Sequence, residues 1–164
     1  MSQLISYCLF RYGKIALALP SKVIREVMPR PDIVSIPRTA RIVSGLSHVR
    51  SEFLPVLNLH SLLPDEPSGN ESILLIVDDA AGDWGLLVDE VLQLTELELS
   101  NAPEDVNSGW ESTVVGWANS GNGNKNDVVR ILDSIRFREL AGEMVNSSPG
   151  KLLSPPSEAE LEYA

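Results

Sequence analysis

A chain with a single cysteine, Cys8, can build neither an internal disulfide framework nor a multi-cysteine zinc site. That points to a reducing compartment, and it leaves Cys8, set in the apolar run Leu4 to Phe10, as a core residue rather than a reactive thiol. Basic residues are scarce: 13 Lys and Arg stand against 23 Asp and Glu, a formal charge of -10. This balance argues against nonspecific nucleic-acid binding and against attraction to anionic lipid, since both need a basic face. Aromatics are few, three each of Phe, Tyr and Trp, so the core must be aliphatic, which favours strands over long helices. No apolar run approaches the length of a membrane span, and the start MSQLISYCLFRYGK has neither the basic stretch nor the small-residue cleavage site of a secretory signal. The expectation is a soluble cytoplasmic protein with no direct membrane insertion.

What is present organises as short strands. At 164 residues the chain buries about 70% of the surface that its unfolded form exposes, enough for a sizeable core. In Val43 to Leu59, VSGLSHVRSEFLPVLNL, two strand-like runs flank a polar turn carrying Arg50, which reads as a hairpin. Phe53, Pro55, Leu57 and Leu59 alternate on one face of the second run. Pro55 cannot donate to a sheet ladder, so that strand is expected at an edge, or paired through only one side there. Leu4 to Arg11, a turn at Tyr12-Gly13 and Lys14 to Leu19 form another hairpin, after which Pro20 and Ser21 predict a short helix or turn in SKVIREV. Asp32 to Ile36 is a brief extended piece among prolines.

Ser72 to Val77 is almost continuously apolar, as in a strand covered on both faces, and another strand is expected over Gly85 to Val91. The apolar phase slips between Leu92 and Leu99, which predicts a bulge or bend near Thr95. Ser112 to Trp117 and Val128 to Leu132 are further strands on either side of the hairpin tip SGNGNKND, and Asp133 is placed to cap a helix over Ser134 to Met144. Pro64 to Asn70 and Asn101 to Gly109 read as loops. From residue 146 to 164 the composition turns to Ser, Pro and Glu, which predicts a disordered tail after a folded unit over 1–145. About ten short strands and one helix point to small β-barrels rather than a parallel α/β sheet.

Few residues suggest chemistry. ILLIVDD, Ile73 to Asp79, ends a strand in two acidic residues, as a magnesium-binding phosphoacceptor receiver domain does, and hard cations favour such oxygen ligands. That reading needs alternating βα units and further acidic, hydroxyl and lysine residues at strand ends, for which too little chain follows Ile73. Asp78, Asp79 and Asp83 are therefore read as a solvated turn. His48 and His60 have no Glu or Cys at ligand spacing, so no metal is expected. No Gly-x-Ser-x-Gly elbow, P-loop or dinucleotide fingerprint occurs. Trp84, Trp110 and Trp117 lack the interleaved basic residues that would mark stacking on bases. The expectation is a protein with no catalytic residues, metal or cofactor, whose partners are other proteins.

Four stretches, taken in order, resemble the CheW-like domain of chemotaxis coupling proteins: LALPSKVIREVM; IPRTARIVSGLSHVRSEFLPVLNL; WGLLVDEVLQL; and VVGWANS continuing to VVRILD. They span Leu17 to Asp133. The resemblance implies a mainly β fold of two intimately joined five-stranded SH3-like β-barrel subdomains, with short helices and a C-terminal helix. It implies a noncatalytic adaptor that couples the cytoplasmic tip of a chemoreceptor to the regulatory domain of a histidine kinase, docking barrel end to barrel end. It further implies that Arg50 and Glu26 lie near a receptor-facing groove and can pair, with Ile24, Val27, Leu46 and Val49 supplying apolar contact. Half of those four are expected to serve the core, because alternate strand residues face opposite sides. A plain surface ion pair contributes at most about 1 kcal/mol; an interface role is favoured by the match between an arginine fork and a carboxylate.

Two departures from the family pattern bear on that surface. Ser51 stands where the family has the glycine of Asn-Leu-Arg-Gly, and Asn58 stands where it has an aspartate. Ser51 is expected to change the turn or to accept strain, since glycine alone takes a positive φ at little cost. With these departures the resemblance also admits a kinase-binding role in a divergent, non-flagellar chemosensory pathway.

Overall fold

The computed structural model describes residues 4–60, 63, 70–98, 100–101, 113–119 and 128–146. Most of the loops expected at Pro64 to Asn70 and Asn101 to Gly109, all of the SGNGNKND tip, Trp110 and residues 147–164 lie outside that set. In chain order the strands are Leu4–Tyr12 (β1), Ile15–Pro20 (β2), Ile24–Pro29 (β3), Val43–Val49 (β4), Glu52–Leu57 (β5) and Ile73–Val77 (β6). There follow Trp84–Val88 (β7), Glu90–Glu98 (β8), Ser100–Asn101 (β9), Val114–Asn119 (β10), Val128–Leu132 (β11) and the helix Ser134–Asn146 (α1).

The strands form two sheets, in the orders β8-β1-β2-β11-β10-β9 and β3-β6-β7-β5-β4. In the first, β8 and β9 are consecutive in sequence yet stand at opposite ends of the order, so one bent run closes the sheet into a barrel. In the second, the chain beyond β3 returns to the free edge of β4. Val34 N donates to Leu46 O at 2.8 Å and Leu46 N to Val34 O at 2.9 Å, which covers that edge. Each sheet contains one parallel pair, β2 with β11 and β5 with β7. The second barrel is built wholly from the segment between β2 and β8, so the first and last strands, β1 and β11, belong to the first.

Strand periodicity explains why the two barrels are joined rather than merely linked. Along β6, Leu74 and Ile76 fill the second barrel with Val49, Leu54, Val56 and Leu87. Leu75 and Val77 point the other way, into a larger cluster with Phe10, Leu17, Leu19, Leu86 and Phe137. β1 divides likewise, with Tyr7 and Leu9 inside the first barrel and Phe10 and Tyr12 in the shared seam. The apolar run at Ser72 to Val77 is thus covered on both faces as expected, by two mainly antiparallel barrels packed together. Helix α1 closes one side of the seam. Asp133 Oδ1 caps it, accepting from Ile135 N at 2.9 Å and Arg136 N at 3.0 Å. Its buried stripe Phe137, Ala141, Val145 recurs every four residues, and Phe137 stacks on Trp84 with ring centroids 5.6 Å apart.

Two local expectations are corrected, one in SKVIREV and one in β8. In SKVIREV only Ser21–Val23 makes a helical turn, of 3-10 type, while Ile24 onward is β3 because its alternating side chains pair with β6. β5 lies between β4 and β7 and is paired through only one side at Pro55, the second of the two arrangements expected there, because the β7 pairing covers only Val56 and Leu57. The inward residues of β5 are Leu54 and Val56, while Phe53 and Pro55 face outward. The β8 bulge falls at Leu92 rather than near Thr95: Leu9 pairs with Gln93 and Phe10 with Val91, so Leu92 is the extra residue. Leu92 and Leu94 remain exposed, so no phase change at Thr95 is needed.

Candidate functional site

The site grows from the β4–β5 hairpin. Val49 pairs with Glu52, leaving Arg50 and Ser51 as a two-residue turn with φ of 49° and 69°. Positive φ at both central positions gives the turn type whose twist matches that of the flanking strands. Ser51 therefore accepts the left-handed conformation and the hairpin keeps its tight form. The cost is backbone strain of about 1 kcal/mol at a non-glycine residue. Ser51→Gly is accordingly expected to raise stability by about 1 kcal/mol and Tm by roughly 3 °C. An unchanged or lowered Tm in thermal unfolding would show that this turn stores no such strain.

This geometry aims Arg50 outward, 71% exposed, with Arg50 Nη2 donating to Glu26 Oε1 of β3 at 2.6 Å. A second ion pair, not expected from the sequence, brackets the same turn. Arg25 Nη1 contacts Glu52 Oε2 at 3.0 Å and Asp83 Oδ2 at 2.6 Å. These contacts hold the Arg25 guanidinium above its usual range, first through its hydrogen bonds to Glu52 and Asp83. The signal was present as Arg-Glu at 25–26 and Arg-x-Glu at 50–52, but only strand pairing shows that they meet.

The structure separates the four apolar candidates. Val49 is buried inside the second barrel, and Ile24 packs against the shared seam. Val27 and Leu46 are exposed. Val27 faces away from Glu26 by strand alternation, so it does not join the Arg50 pair. Leu46 belongs to an outward apolar strip that crosses three neighbouring segments. Val34 bridges to Leu46, Leu46 pairs with Pro55, and Phe53 follows on the same face of β5, stacked on His48 at 4.7 Å. Val34 and Phe53 are each 72% exposed, unusually open for large apolar side chains on paired backbone. Leu46, Phe53 and Pro55 continue into a groove of about 830 Å³, walled by Val43 and Leu57, by Gly82 to Trp84, and by Ala141, Gly142 and Val145 of α1.

Asp79 is no solvated turn residue. Its side chain is 3% exposed, and it ties the β6–β7 turn to α1. Oδ1 accepts from Ala81 N at 2.9 Å, while Oδ2 accepts from Trp84 Nε1 at 3.2 Å and Arg138 Nε at 2.7 Å. Burial alone would raise this carboxyl, but the three donors and the Arg138 charge outweigh it and hold it below the usual range. Only Asp78 is fully on the surface; Asp83 is engaged by Arg25 and by Asp79 N. With Asp79 committed to donors, on two mainly antiparallel barrels rather than alternating βα units, the receiver-domain reading of Asp78 and Asp79 fails. No group of three His, Cys, Asp or Glu residues with metal-binding geometry occurs among the described residues. Cys8 is fully buried, and burial pushes its thiol up, away from the nucleophilic thiolate. Asn58 has a structural role: its amide Nδ2 donates to Arg41 O at 2.7 Å and Ser44 Oγ at 2.9 Å. An aspartate could not donate to that carbonyl.

The comparisons with known proteins converge. Over 99 residues the chain is 27% identical to Protein PilI of Pseudomonas aeruginosa, a match covering 59% of this chain and 56% of that protein. It therefore spans a little over half the length of that relative. The crystal structure of the scaffolding protein TtCheW from Thermoanaerobacter tengcongensis superposes with a TM-score of 0.69 at 21% identity, covering 80% of this chain and 90% of the other. That likeness shows the same fold, two joined barrels. No helix among the described residues is long and apolar enough to cross a membrane. The pattern of the CheW-like domain matches residues 6–139, from β1 into α1. Because that match takes in both barrels and the strands that join them, the chain belongs to the CheW-like domain family.

Proposed function

We propose that this protein is a noncatalytic adaptor that couples the cytoplasmic tip of a chemoreceptor to the regulatory domain of a chemotaxis-type histidine kinase. The observation that carries the reading is the outward strip formed by Leu46, Pro55 and Phe53 of the hairpin with the bridged Val34, beside the turn that presents the Arg50–Glu26 pair. An apolar centre rimmed by charge is the usual anatomy of a protein interface, and arginine and phenylalanine are enriched there. The outer face of a barrel suits a partner domain of similar shape, and membership of the CheW-like family supports a scaffold role.

Arg50→Glu is expected to weaken receptor co-sedimentation about tenfold or more. The exposed pair contributes at most about 1 kcal/mol to folding, so the variant stays folded and the loss is interpretable. Undiminished binding of both receptor and kinase domain by this variant would remove the role given to Arg50. A pull-down that returns a kinase but no receptor would instead favour a kinase-recruiting module of a divergent, non-flagellar chemosensory pathway.

A further inference from the structure

The groove beside α1 is open for a structural reason. Gly142 faces it without a side chain, and a methyl group built there meets nothing within 4 Å. One helical turn further on, Val145 also lines the groove, so the chain leaves α1 at its mouth. We propose that the carboxyl-terminal part of this same chain occupies the groove, through Leu152 and Leu153 with Lys151 at the rim.

Three observations favour that occupant. The sequence just beyond α1 is Ser147-Ser148-Pro149-Gly150-Lys151-Leu152-Leu153, and a Pro-Gly pair is the signature of a reversing turn. Leu152 is seven residues from Val145, a reach of up to about 25 Å, whereas Gly142 lies only about 4.5 Å back along the helix. A tether of this length presents the leucines at an effective concentration of order millimolar, so weak apolar contact suffices. Charge fits as well. Of the charged side chains lining the groove, Glu52 and Asp83 stand against Arg138, and counting the Arg25 and Asp79 that pair with them the balance is one negative charge, which Lys151 complements. Glu158, Glu160 and Glu162 carry the rim's own sign, which keeps the chain's end outside. Since Leu46, Phe53 and Pro55 line both surfaces, this segment would compete with a docked partner; that consequence alone rests on the adaptor reading.

The test compares amide NMR spectra of the full chain with those of Leu152→Ser/Leu153→Ser. The expected result is shifts at Leu46, Phe53, Gly82 and Gly142, together with matching shifts around residues 151–153 in Gly142→Phe, which fills the groove. Shifts confined to residues 147–164, or centred on another surface, overturn the proposal. Groove shifts that fade on dilution of the unmodified protein also overturn it, because they identify a second copy as the occupant. None of these outcomes involves receptor or kinase, so failure here leaves the adaptor reading standing.

Discussion

Replacement of Asp79 by alanine is expected to lower unfolding free energy by about 3 kcal/mol and Tm by roughly 9 °C. The carboxylate is buried and holds three donors, one of them the charged Arg138 of α1. Its removal leaves the Trp84 indole N–H and the Arg138 guanidinium without their acceptor in the seam that fixes the helix. Arg138 is 35% exposed and can turn to water, which places the effect at the low end for a broken buried pair. Arg138→Ala is expected to cost less, about 1–2 kcal/mol, because Asp79 keeps its bonds from Ala81 and Trp84. The folded-state carboxyl lies below its unfolded value, so its contribution is fully present above pH of about 4. It is lost as pH falls through the lower folded value. Acidification should therefore destabilise the unmodified protein more steeply than Asp79→Ala. Urea unfolding of both at neutral and acid pH checks the sign, and parallel curves would show that Asp79 is not the linked group.

Gly45→Ala is expected to cost about 3 kcal/mol or more through a different mechanism. Gly45 sits at φ 151°, and a Cβ there would lie 2.1 Å from the Val34 carbonyl oxygen. Backbone cannot give way as a side chain end does, so the Val34–Leu46 bridge that covers β4 must part. Gly82→Ala separates strain from collision. Gly82 has φ 121° but open space around it, so alanine there should cost only about 1 kcal/mol. Hydrogen exchange would show Leu46 N and Val34 N losing protection in the Gly45 variant alone. Equal losses in both variants would mean that φ, and not the close approach, decides. Because Val34 and Leu46 are also half of the strip proposed above for docking, that proposal predicts that the Gly45 variant loses partner binding together with barrel closure.

Much of the fold was legible because strand and turn signals are local. The β1–β2 and β4–β5 hairpins, the doubly covered β6 and the Asp133 cap all follow from periodicity two, polar turns and capping chemistry. The misreadings share one cause. Ile24 to Val27 reads as part of the short helix or turn of SKVIREV because no local signal shows that β6 is waiting beside it. Phe53, Pro55 and Leu57 do share one face of β5, but that face is open at Phe53 and buried in the seam at Leu57, while Leu54 and Val56 fill the second barrel. Which parity faces the core depends on the neighbouring strands, and a shift of one residue exchanges the faces. Asp79 was read as solvated because its three donors come from residues 81, 84 and 138, only two of which are near in sequence.

The sequence by itself determined an aliphatic, strand-rich chain with a single cysteine, and an ordered set of stretches resembling one family. It also placed Arg50 in a tight turn between two strands. Tertiary structure decided what that turn can do. Ser51 keeps the glycine-type geometry because pairing of Val49 with Glu52 leaves room for only two residues, and the pairing outweighs the cost of a positive φ. It decided, too, that Leu46 with Phe53 is surface and Val49 with Ile24 is core. Composition is a property of the chain, whereas exposure is a property of neighbours. Here those neighbours are brought together by two barrels interleaved in sequence, the second lying wholly between β2 and β8 of the first.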